Sequence, residues 1–300
     1  MKERSSYGKK TLIYIILILL AVVCLFPFYV LIINATRAHA AIQKGFSMIP
    51  GSAFLFNLKN VLNNENLPVL TGIRNSIVVA GCGAALSAYV SSLTAYAVHV
   101  YEFRWKKQLY LFILLIMMVP GQISALGFVR WMDNLSLTDN LLPLIIPCAA
   151  APTVVFFIKQ YMESNLPLEI IEAARADGAG EFYIFNRIIL PILKPAIAVQ
   201  VIFSFVGSWN NYLMPSLILK KDELKTLPIL IAQLRSADFL KFDMGQVYML
   251  IFIAIIPVCI IYIAFIHIGN LFRRYILDCS LVCRYLLLLL LLVAGRLFPL

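Results

Sequence analysis

Apolar and polar stretches alternate along this chain on a scale of about 20 residues, the length that lets one helix cross a hydrocarbon core. The apolar runs fall at 12–33, 75–98, 108–129, 141–160, 196–215 and 246–271. They predict an all-α fold, a polytopic membrane protein with six transmembrane helices. Lys2, Arg4, Lys9 and Lys10 precede the first run, which is too long for the core of a secretory signal. Cys24 follows Val22 and Val23 rather than a small residue, which argues against a lipoprotein signal, so the run is read as a retained helix entering from the cytoplasm. The second run carries Gly83, Ser87, Ser91 and Ala95 at four-residue spacing, a small-residue stripe that lets neighbouring backbones approach. Pro120-Gly121 predicts a kink in the third. Pro143, Pro147 and Pro152 predict an irregular fourth. No charged side chain is expected at membrane depth. Residues 34–74 and 216–244 are expected to be mixed polar loops.

Between the fourth and fifth runs lies a polar island, residues 161–195. Asn165 is expected to cap a short helix with Pro167 in its first turn, and Leu168 to Asp177 carries good helix formers. Gly178 sits where that helix should stop, since a residue without Cβ accepts the left-handed conformation cheaply. A second, amphipathic helix is expected over 181–190, with Pro191 and Pro195 punctuating the return to the membrane. Ala173, Ala174, Ala176 and Gly178 leave the first helix nearly bare on one side, open to close approach by another protein.

Composition agrees with a membrane protein. The 300 residues are 62% hydrophobic and 13% charged, where a soluble domain carries about 25% charged residues. Mean hydropathy is +0.89. A net charge of +10 fits the positive-inside bias better than nucleic-acid binding. Basic residues moderately favour the side holding the termini and the polar island, so both termini and the island are expected in the cytoplasm. The six cysteines include no CxxC pair and read as small buried hydrophobes. His39, His99 and His267 fall in unrelated segments, and no HExxH, GxSxG or phosphate-loop pattern occurs. Any ATP must therefore be hydrolysed by a separate subunit. The lack of ionisable groups at membrane depth counts against an ion-coupled carrier.

One apolar run carries polar groups in register. Gln200, Ser204, Ser208 and Asn211 recur at helical spacing beside Trp209, Asn210 and Tyr212. Amides, hydroxyls and an aromatic face are what a polyol requires. Hydrogen bonding between helices, with an aromatic belt near the outer surface, would use the same residues.

Glu172-Ala173-Ala174, Asp177-Gly178-Ala179, Ile189-Leu190-Pro191 and Lys194-Pro195 together resemble the EAA loop of ABC-importer permeases, in the order and gaps of the sugar-type branch. Trp209 to Pro215 and Thr226-Leu227-Pro228 resemble further segments of that branch. The resemblance covers residues 10 to 278 and is most specific between 165 and 275. It implies a single permease domain over 1–278, in a bacterial-type cytoplasmic membrane, importing a sugar or oligosaccharide by alternating access. Glu172, Ala173, Ala174, Asp177, Gly178, Leu190 and Pro191 would couple it to ATPases. Implied partners are a second homologous permease, two ATPase subunits and an extracytoplasmic solute-binding protein. ATP and Mg would be used by the ATPases, and this chain would bind no cofactor and perform no catalysis. A permease for a non-sugar solute remains an alternative, and an intramembrane enzyme would need catalytic polar groups at membrane depth. Residues 279–300, with seven consecutive leucines at 286–292, depart from the family pattern and are expected to form an atypical appendage.

Overall fold

The structure is a computed structural model describing residues 2–64, 67–236 and 243–272, and these residues are helical with no strand among them. The tail at 279–300 lies outside the described residues. Two compact units are present. The first comprises 2–64 with 233–236 and 243–256, the second 67–232 with 257–272.

Five helical stretches are long and apolar enough to cross a membrane: Ile13–Ala35, Val69–Val100, Leu142–Asn165, Glu181–Trp209 and Met244–Ala264. A sixth exists if α5 (Lys106–Met117) and α6 (Gly121–Asn134), which meet at 97°, form one broken span. The kink expected at Pro120-Gly121 is thus a full break. Met118 and Val119 tighten the end of α5 by donating to Leu115 and Ile116, and Pro120 then caps α6 with an extended backbone.

In the first unit, α1 (Lys2–Ala35) begins ten residues before the expected start. Its apolar side chains from Ile13 to Ile32 are mostly exposed, as lipid-facing residues are in an isolated chain. The following segment is more than a polar loop. It folds into α2 (His39–Gln43) and α3 (Phe54–Leu62). Arg37 organises it by donating to Asn34 Oδ1 at 3.2 Å, to the Gly45 carbonyl at 3.0 Å and to the Ala41 carbonyl. The Asn57 amide donates to the carbonyls of Ala35 and Arg37, both at 2.9 Å.

The second unit is built on α4 (Val69–Val100). From Ala80 to Ala95 its buried residues are all small, among them Gly83, Ala84, Ser87, Ala88, Ser91 and Ala95. Their stems leave α8 (Pro152–Asn165) and α11 (Leu190–Trp209) free to lie close against it. Before α8, three prolines break the expected fourth helix into α7 (Leu142–Ile145) and a 3₁₀ turn, Ile146–Ala149. Pro152 starts α8, where a missing N–H costs nothing.

Four expectations need correction. Asn165 does not cap α9 (Leu168–Ala176); it ends α8, donating to the Tyr161 carbonyl at 3.0 Å, and Pro167 holds the cap position. Pro191 and Pro195 do not interrupt the return to the membrane. α10 (Glu181–Tyr183), a π-helical stretch at Ile184–Ile189 and α11 run on as one rod. The π stretch resets the hydrogen-bond ladder just before Pro191, so its missing N–H falls in a first turn. The fifth helix stops at Trp209 rather than 215, because the chain breaks at Asn210-Asn211 before α12 (Leu213–Ile218). Finally, Lys159 lies within the run expected to hold no charge. It is buried at the end of that run, paired with Glu163, with its ammonium 4.4 Å from the centre of the Tyr110 ring.

Candidate functional site

The polar island is fixed locally before anything docks on it. α9 ends in a Schellman turn. The Ala179 N–H donates to the Ala174 carbonyl at 3.0 Å, and the Gly178 N–H to the Arg175 carbonyl at 3.0 Å. This closure needs a left-handed residue, and Gly178 supplies it at φ +81°. Beneath the turn, Ile171 and Ala174 of α9 join Ile184, Phe185 and Ile189 in a buried cluster. Tyr96 of α4 and Val154, Ile158 and Met162 of α8 complete its floor. Full burial of each such large side chain is worth about 1.5–3 kcal/mol. The loop is therefore seated on the ends of two long helices.

Glu172, Ala173 and Asp177 are exposed on the outer side of this seat, while Ala174 faces inward. Leu190 packs partly against the buried cluster and Pro191 is exposed. The loop thus presents Glu172, Ala173 and Asp177 with open space around Gly178, since a Cβ placed there would meet nothing within 4 Å.

Sequence reasoning missed a second feature of the loop. The Glu181 carboxylate accepts from Arg175 Nε at 2.6 Å, from Tyr101 OH at 2.5 Å and from Tyr96 OH at 3.1 Å. The Arg175 guanidinium also lies 5.5 Å from the centre of the Tyr101 ring. Burial, then the hydrogen bond to Glu181, push the Tyr101 phenol above its ordinary value. Glu181 likewise raises Arg175, so both donors keep their protons throughout the physiological range. Nothing in the one-dimensional pattern brings residues 96, 101, 175 and 181 together.

The second candidate region is a cavity of about 390 Å³ in the second unit. Ser204, Ser208 and Asn211 line it from α11 and the following turn, at the i, i+4, i+7 spacing of one helix face. Val79, Gly83 and Ser87 line it from α4, with Cys148 and Met214 among the remaining wall. Among the described residues no charged side chain lines it. Ser87 is 2% exposed, and its hydroxyl has no hydrogen-bond partner among the described residues. The other members of the predicted stripe sit elsewhere. Gln200 is buried outside the cavity wall. Trp209 is buried and stacked on Phe205, with ring centres 5.7 Å apart and planes 19° apart. Asn210 closes the end of α11, and Tyr212 is 48% exposed. Ser87 was legible in sequence only as part of a packing stripe. Its place in the wall follows from the same small-residue face that admits α11.

Residues 87–277 match the family described as the binding-protein-dependent transport system inner membrane component. The chain is 32% identical over 252 residues to the arabinooligosaccharides transport system permease protein AraQ of Bacillus subtilis (strain 168), covering 82% of this chain and 88% of that one. It is 28% identical over 251 residues to the lactose transport system permease protein LacG of Rhizobium radiobacter, covering 84% and 90% respectively. Among solved structures, a chain of a bacterial ABC transporter involved in the import of the acidic polysaccharide alginate shares the fold. The TM-score is 0.75 at 22% identity, over 91% of this chain and 98% of that one.

Proposed function

The chain belongs to the family of binding-protein-dependent transport system inner membrane components, the permeases of ABC importers, and from that premise we propose that its solute is a neutral sugar or oligosaccharide. One observation carries the choice of solute. The cavity wall offers hydroxyl and amide groups on an apolar background, and among the described residues no charged side chain lines it and the Ser87 hydroxyl is buried without a partner. Hydroxyl-rich neutral rings supply partners for such groups, whereas an anionic solute would lose its hydration with no cation to replace it. Relatives are named for arabinooligosaccharides, for lactose and, at 29% identity, for sn-glycerol-3-phosphate, so the choice of a neutral solute rests on the cavity lining.

In this reading the chain works as one of two homologous permeases, with two ATPase subunits and an extracytoplasmic binding protein. The exposed Glu172–Gly178 surface faces an ATPase in the cytoplasm. ATP and Mg are used there, and ATPase closure displaces the α9–α10 loop. α4, α8 and α11 then reorient around the cavity, opening it to alternate sides. Ser87, Ser204, Ser208 and Asn211 border the solute route. Gln200, Trp209, Asn210 and Tyr212 act behind it, through packing and the break after α11. Residues 1–278 form the transport domain.

Uptake of a labelled neutral disaccharide by cells with and without this chain tests the reading. Uptake should depend on the chain and be competed by neutral oligosaccharides but not by a sugar acid. Competition by the sugar acid alone would overturn the neutral class.

A further inference from the structure

The buried cluster under the coupling loop draws α9 and the Ile184–Ile189 stretch against α4 through apolar contacts, which carry little directional preference. The Glu181 carboxylate is different. It receives three donors from two elements: Arg175 at the end of α9, and Tyr96 and the C-cap residue Tyr101 at the end of α4. Short hydrogen bonds to a charged acceptor are the directional kind, and they set angles as well as distance. Arg175 and Glu181 also staple α9 to α10 across the Gly178 turn. Both side chains of this pair are about two-fifths exposed, at 38% and 43%. Ion pairs so exposed contribute little to stability, so a role in holding the chain together is a poor account of the arrangement.

We propose that Glu181, through Tyr96, Tyr101 and Arg175, is a positioning residue that locks the coupling loop to α4, so that loop and helix move as one body. The proposal rests on the permease reading above. α4 gives the lock its consequence. Nine residues before Tyr96, Ser87 lines the cavity, about 14 Å along the helix axis at the usual rise per residue. Loop displacement reaches the cavity wall directly through α4, in addition to the covalent route along the 181–209 rod. Without the lock, the loop pivots on its apolar seat and part of each stroke is lost. ATP hydrolysis then continues while less solute crosses.

The test uses the complete importer in lipid vesicles, with Glu181→Gln, Tyr101→Phe, Arg175→Glu and the exchange pair Arg175→Glu with Glu181→Arg. Glu181→Gln and Arg175→Glu should lower solute moved per ATP hydrolysed at least fivefold, with assembly and the solute concentration for half-maximal uptake unchanged. Tyr101→Phe should have a smaller effect in the same direction. The exchange pair restores the ion pair, and its guanidinium can donate to both phenol oxygens, so it should recover most of the lost coupling. A second readout needs no transported solute. Spin labels at Ala176 and Ile77 should keep one sharp distance with and without ATP in the wild type, and give a broadened, nucleotide-dependent distance in Glu181→Gln. Wild-type coupling in Glu181→Gln, or an exchange pair no better than Arg175→Glu alone, overturns the lock. So does an unchanged spin-label distance in Glu181→Gln. Failure of the wild-type importer to move any sugar, with the spin-label result as expected, would count against the solute reading and leave the lock standing.

Discussion

Replacing Gly178 separates backbone strain from steric crowding unusually cleanly. Its φ of +81° is the left-handed conformation, and a Cβ added there meets nothing within 4 Å. Any cost inside this chain is therefore conformational. An ordinary L-residue pays about 1–2 kcal/mol to sit in that region. Asn pays less, because its side chain tolerates the conformation, and a β-branched residue pays more. The two hydrogen bonds of the Schellman turn are what this strain opposes. Set against the turn's opening equilibrium, 1–2 kcal/mol is roughly a 5- to 30-fold change in population. Amide hydrogen exchange in lipid nanodiscs reads it directly. Exchange at residues 178 and 179 should accelerate roughly 5- to 30-fold in Gly178→Ala, more in Gly178→Val and least in Gly178→Asn. Exchange in the body of α11 should not change. The purified permeases without ATPase are the sample, so a docking clash cannot produce the effect. Equal rates in all four proteins would refute the strain argument. In the complete importer, Gly178→Val should in addition uncouple ATP hydrolysis from uptake.

Three further outcomes follow from the same geometry. Asn211→Leu, and separately Ser204→Ala, should raise the solute concentration for half-maximal uptake by about 2- to 10-fold, the equivalent of one neutral hydrogen bond, with assembly unchanged. Asp139 Oδ1 accepts from the backbone N–H groups of Lys220 and Lys221 at 2.6 and 3.0 Å, and these bonds hold its carboxyl below the ordinary value of 3.8. Because the folded value is depressed, the tether is fully present above the ordinary value and weakens as pH falls through the folded one; a spin label at Lys221 should loosen in acid in the wild type, and Asp139→Asn should remove that pH dependence. Cysteines placed singly at Phe182 and Lys221 in a cysteine-free background should label from opposite faces of the membrane, and labelling of position 182 by an impermeant reagent in intact cells would reverse the assigned topology.

The apolar runs revealed the helices because each repeats a strong signal over about 20 positions. Gly178 was legible for a similar reason, as one residue type answers one backbone demand. Pro191 misled because its effect depends on where the hydrogen-bond ladder stands, and the π stretch at Ile184–Ile189 moves that ladder without any composition signal; Pro195 lies inside α11, and the helix continues through it. The stripe on α11 was read as one set. Of its polar members only Ser204, Ser208 and Asn211 line the cavity, while Gln200, on the same helix face one turn earlier, is buried outside the wall. The Glu181 cluster was invisible, since its members meet only after α4 and the loop pack together. Arg37 and Asn57 escaped notice likewise. They fall in a segment expected to be a loop, and most of their partners are backbone carbonyls that no sequence pattern marks.

The most direct measurement is accumulation of a labelled neutral oligosaccharide inside lipid vesicles containing this chain, the proposed partner permease and the ATPases, with the solute-binding protein added. Uptake should exceed the external concentration only when ATP is supplied to the ATPase side. It should persist when ion gradients are collapsed and vanish when this chain is omitted. Accumulation that survives omission of the chain, or that follows an ion gradient instead of ATP, would contradict the account.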